Sequence, residues 1–169
     1  MVASRHHVLD LHDASEKSSL FLLSSARPLI QLVYALNERL HWGLSRQPKE
    51  HICYRDKFKS RHNYYAAANH HQSWHLIENE PVSSEWLDGA APTPSGGLFD
   101  AEPTTPPMRP LVRKPANVHA ILTVSESLTD AEIVNLAQAC QAIPWVMSCQ
   151  PIPWESFRER HNLMFEPPT

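Results

Sequence analysis

The sequence predicts an α+β domain. Three observations carry that prediction. An order of short apolar run, amphipathic helical repeat and second short run occurs twice; a long proline-rich stretch separates the two occurrences; and 169 residues are enough for one domain with a substantial core.

Taken in chain order, KSSLFLLSS (17–25) is an apolar run bounded by serines, the pattern of a buried strand. A helix is predicted from about Ala26 to Trp42. Ser25 can cap it, Pro28 falls in its first turn where the missing N–H costs little, and Gly43 can stop it. Leu29, Ile30, Val33, Leu36 and Leu40 recur at helical spacing as its apolar stripe. QSWHLIE (72–78) is a weaker strand signal, and NVHAILTVS (117–125) a stronger one, rich in β-branched residues. In TDAEIVNLAQACQAI, Thr129 and Glu132 have capping-box spacing, and Ile133, Leu136, Ala137, Cys140 and Ile143 line one face. Pro144 ends that helix, and WVMSC (145–149) reads as a returning strand.

Strand–helix–strand, linker, strand–helix–strand is the order of a split βαβ, ferredoxin-like sandwich with a long Pro-rich inserted loop. The alternative is a mostly α-helical small domain in which 55–69 forms a further helix. The expected organisation is a flexible N-terminal tail over 1–16 and a single α+β domain over 17–169. A Pro-rich acidic linker or loop at about 79–116 interrupts it, since Glu78 to Pro115 holds eight of the fifteen prolines. Two apolar islands in that stretch, Trp86-Leu87 and Leu98-Phe99, are candidates for docking a protein partner, as is the aromatic C-terminal tail.

The net charge of −3 conceals an asymmetry. Residues 1–75 carry ten Lys/Arg against six Asp/Glu, and residues 76–169 carry five against twelve, so a polyanion would be met by the front half. Polar residues interrupt the longest apolar-rich region, Leu20 to Trp42, which argues against a membrane span. Three cysteines without a disulfide framework, and an N-terminus lacking a signal-peptide core, point to reduced thiols and a cytoplasmic setting.

HICYRDKFKSRHNYYAAANHHQSWH (51–75) concentrates the chemistry, with five of the eleven histidines. Zinc is possible, since His71 and His75 lie four apart, within the spacing of histidine ligand pairs; otherwise no cofactor is expected. Catalysis by histidine is a second reading, that of a small His-dependent nuclease. Arg55 and His62 are seven apart, and over these eight residues the chain resembles the Arg-x6-His arrangement of HEPN ribonucleases. That all-helical family carries a polar residue after the arginine, here Asp56, and the resemblance implies metal-free RNA cleavage. Glycine-rich phosphate loops, HExxH, GxSxG and paired CxxC patterns are all absent from the sequence.

The third reading rests on alternation of charge and ring. Arg46, Lys49, Arg55, Lys57, Lys59 and Arg61 offer phosphate contacts, while Tyr54, Tyr64 and Tyr65 offer stacking faces for bases. The favoured expectation is a non-enzymatic accessory or adaptor subunit that contacts single-stranded RNA or DNA through 46–75.

Overall fold

The computed structural model describes residues 18–69, 71–91, 105–125 and 128–163. The expected tail at 1–16, together with Leu98 and Phe99, lies outside the described residues. Among the described residues the fold is mixed α+β, with antiparallel sheets and two α-helices. Its elements are β1 (Ser19–Ser25), α1 (Leu29–Leu40), β2 (Ser45–Arg46), β3 (His51–Tyr54), β4 (Phe58–His62), β5 (Tyr64–Ala68) and β6 (Ser73–Glu78). There follow β7 (Ser83–Trp86), β8 (Ala120–Val124), α2 (Asp130–Gln141) and β9 (Val146–Ile152), then 3-10 turns at Trp154–Ser156 and Arg160–Leu163. Residues 55–69 fall in β4, β5 and their flanks, so the mostly helical alternative is excluded.

A six-stranded sheet of order β2-β5-β6-β8-β1-β9 forms the centre. Strand β1, next to the edge strand β9, is buried on both faces because both are covered, which is why SLFLLSS lacks polar alternation. Phe21 and Leu23 join a core with Leu32 and Leu36 of α1 and Ala137 and Cys140 of α2, so both helices pack on one face. Leu20 and Leu22 face a second core with Ile77, Ile121, Leu111, Val112 and Phe157. That side is covered by the smaller β3-β4-β7 sheet, the chain around 107–118 and the C-terminal 3-10 turns.

Helix α1 begins later than its apolar pattern suggests. Arg27 precedes a proline, which disfavours helical backbone there, and Ser25 closes a local turn on Arg27 in place of capping a helix. Pro28 becomes the N-cap residue, and Leu29, Leu32, Val33 and Leu36 make up the buried stripe. Ile30, expected in that stripe, is 61% exposed. The helix ends at His41 in left-handed backbone, and the Asn37 side chain clamps both backbone groups of Leu44.

Helix α2 has the capping box its sequence announces. Thr129 N–H donates to Glu132 Oε2 at 2.8 Å, and Glu132 N–H donates to Thr129 Oγ1 at 3.4 Å. Thr129→Ala is expected to cost about 1 kcal/mol. An unchanged urea midpoint in the variant would show that the cap adds nothing.

The proline-rich stretch contributes to the core at both ends. Ser83–Trp86 pairs with β4, and Leu111 and Val112 are buried. Asn79 ties them in: its side chain donates to the carbonyls of Val112 and Val118 and accepts from Val112 N–H. All three cysteines are buried thiols. Among the described residues no helix is long and apolar enough to cross a membrane.

Candidate functional site

The β3–β4 hairpin alternates strictly between an inner and an outer face. Inward go His51, Cys53, Phe58, Ser60 and His62, with His51 opposite His62 and Cys53 opposite Ser60. Apart from Phe58 the buried set is polar or a thiol, and each of these four side chains makes at least one hydrogen bond. His51 Nε2–H donates to Asn162 O at 2.7 Å, and His62 Nδ1–H donates to Glu78 O at 2.9 Å. The remaining nitrogen of His62 then accepts from the Ser60 hydroxyl at 2.9 Å. Asn162 completes the group, donating to Leu111 O and accepting from the Cys53 thiol.

The two imidazole rings stand 6.2 Å apart. Burial pushes both down to about 4; the hydrogen bonds to Asn162 O and Glu78 O oppose the shift without cancelling it. Both rings are therefore neutral at neutral pH, fully enclosed, and fastened to backbone carbonyls. This is a clamp joining the small sheet to β6 and the C-terminal turn. Arg55 follows β3 and His62 ends β4, so the pair sits on a hairpin and not on the shared helical face that the HEPN resemblance implies.

The basic residues are divided among several environments. On the outer face Lys59 and Arg61 both bind Glu85, at 3.2 and 3.1 Å, and their hydrogen bonds hold its carboxyl below the usual range. Arg61 also lies 4.0 Å from Glu50. Arg46 donates to the Asn63 side chain, while Lys49 and Lys57 are exposed. Tyr54 is half-buried, Tyr65 is part of the core, and Tyr64 is hydrogen-bonded to His75. Tyr65 is thus unavailable for stacking, and Lys59 and Arg61 are already neutralised.

What the fold assembles is a cationic cluster around Phe58. Arg55 lies 5.9 Å and Arg109 5.7 Å from its ring centroid, within cation–π range, and Trp86 meets the ring edge-on at 6.3 Å. Arg55 is fixed by a 2.8 Å bond to Pro110 O. Half-burial lowers its basicity, Cys53 opposes that shift, and the like charges of Arg113 and Arg109 add to it. Lys57, which precedes Phe58 in the chain, is exposed, and among the described residues none of these four cations forms an ion pair. Arg109 and Arg113 escape a reading confined to 46–75. Their signal was RPLVRK (109–114), three cations in an otherwise acidic half.

His71 is exposed in the turn before β6 and His70 lies outside the described residues. His75 is held on β6 between the Tyr64 hydroxyl and the Ser73 hydroxyl. Burial lowers the His75 imidazole and raises the Tyr64 phenol to about 12, so both are neutral. Because the segment is a strand and its turn, His71 and His75 do not share a helical face. Among the described residues no three His, Cys, Asp or Glu side chains come together to hold a metal. Of the docking candidates, Trp86 packs on Phe58, and Leu87 is half-buried with its N–H on Lys57 O.

No protein family, curated protein or solved structure matches this chain.

Proposed function

We propose that the protein is a non-enzymatic accessory or adaptor subunit that contacts single-stranded nucleic acid through the face around Phe58. The observation that carries this reading is the convergence of Arg55 and Arg109 on the Phe58 ring, with Trp86 at its edge, Arg113 close enough to Arg55 to lower its basicity, and the exposed Lys57 next to Phe58 in the chain. These cations, without ion pairs among the described residues, supply phosphate contacts, and the half-buried Trp86 offers an aromatic edge to an unstacked base, while the buried Phe58 holds the guanidinium groups in place. The protein partner of an adaptor is assigned to Trp86, Leu87 and the acidic stretch after them.

Strand order β6-β8-β1-β9, with a helix following β1 and another following β8, supports a split βαβ, ferredoxin-like core. In such folds the helix-free sheet face commonly carries single-stranded RNA. Here that face is covered by the small sheet and the C-terminal turns, which moves the contact outward to the Phe58 cluster.

The test is binding of labelled single-stranded RNA and DNA across a salt series. Two to four phosphate contacts give a slope of roughly −1.5 to −3 in log affinity against log salt. Lys57→Glu with Arg109→Glu is expected to abolish binding, whereas Lys59→Gln with Arg61→Gln has a minor effect because Glu85 and Glu50 already pair with those two cations. Salt-independent binding, or full binding by the charge-reversed variant, would remove the proposal.

A further inference from the structure

On the helical side of the central sheet, a cleft of about 270 Å³ opens between the start of β6, the end of β8, α2 and the chain leaving α1. Trp42 and Trp74 stand together in its lining, with ring centroids 5.9 Å apart and planes 19° from parallel. Trp74 is buried from β6, and Trp42 is half-buried beyond the left-handed turn at His41. Val124 and Leu136 add apolar surface, and Gln72 and Asn135 add amides. Among the described lining residues the one charged group is Glu132.

The state of that carboxylate follows from the capping box. Thr129 N–H and hydroxyl both donate to Oε2, at 2.8 Å each, while Oε1 accepts no hydrogen bond among the described residues. These bonds hold the group well inside its anionic range at neutral pH. The cleft thus combines two indole rings, two amides and one fixed negative charge.

We infer that this cleft binds a small planar aromatic cation. Indole is the best side-chain partner for a positive charge, and its face also stacks with a planar ring. The Glu132 carboxylate adds a counter-charge, and the Gln72 and Asn135 amides can bond ring N–H groups or ring acceptors. The volume lies just below the ~300–1,000 Å³ of clefts that take drug-sized ligands, so one small ring system fits. Anions of the same shape are repelled by the carboxylate. This site faces away from the Phe58 cluster and does not depend on nucleic-acid binding.

The experiment follows the indole N–H resonances of the ¹⁵N-labelled full chain during titration with tryptamine, indole or indole-3-propionate. Trp42→Phe and Trp74→Phe identify two of the signals. Tryptamine is expected to shift those two saturably, to bind about tenfold tighter than neutral indole, and to leave the other tryptophans in place. Indole-3-propionate is expected to bind more weakly still. Glu132→Gln keeps a side chain able to complete the capping box, and should reduce tryptamine to the affinity of indole. Leu136→Trp fills the cleft, and should abolish the shifts while the remaining spectrum stays dispersed. The inference is overturned by the absence of saturation at millimolar tryptamine, by shifts spread over all tryptophans, or by equal affinity for the three compounds. Unchanged tryptamine binding in Glu132→Gln overturns it as well.

Discussion

Lowering the pH from about 7 to about 4 is expected to cost the protein several kcal/mol of stability through His51 and His62. Both imidazoles are buried and neutral, with folded-state values near 4 against an ordinary 6.5. Above the ordinary value neither state takes up a proton, and the full stability is present. Between the two values the unfolded chain binds protons that the folded chain refuses, so stability falls with pH. Below about 4 the loss is complete, at ~3 kcal/mol for each ring. Denaturant unfolding at a series of pH values measures it. His51→Gln keeps a donor toward Asn162 O and removes the titration, so its stability should fall about half as far over the same range. A flat wild-type profile, or an identical slope in His51→Gln, would show that these rings do not govern acid sensitivity.

Asn79→Ala is expected to be among the most damaging single substitutions, at ~3–5 kcal/mol. Asn79 is 3% exposed, and its amide satisfies two carbonyls and one N–H of the chain around Val112 and Val118. Alanine strands all three groups in an interior that admits no replacement, at about 1–3 kcal/mol each before relaxation. Leu111 and Val112 depend on this anchorage to stay in the second core. The urea midpoint should fall steeply. If the variant unfolds at the wild-type midpoint, the side chain is not the anchor its geometry indicates. Asn79→Asp separates amide from shape: a carboxylate keeps one acceptor, loses both donations, and adds a buried charge.

How much of this was legible depended on whether burial coincided with hydrophobicity. In β1 and α2 it does, and KSSLFLLSS and TDAEIVNLAQACQAI read directly as a buried strand and a capped helix. In α1 the elements of the stripe were visible but its centre was not. Leu29, Leu32, Val33 and Leu36 share an arc, and Ile30, ~100° round from Leu29, is turned to solvent. In β3 and β4 the period of two exists in burial and not in polarity, because, Phe58 apart, the inward positions are His51, Cys53, Ser60 and His62. A hydrophobicity pattern cannot register a strand whose enclosed side chains are imidazoles and hydroxyls. Of the cationic site, the 46–61 half was visible; Arg109 and Arg113 reach it through tertiary contacts that no local pattern encodes.

The cluster on Phe58 also ties together two stretches of chain that are distant in sequence. Trp86 leaves the ring on one side, while Arg109 returns over it on the other, and the Ser84 hydroxyl bonds Pro107 O at 3.3 Å. One side chain thus serves as a cross-link between β7 and the 107–112 chain, joining at a single ring two stretches that lie apart in sequence.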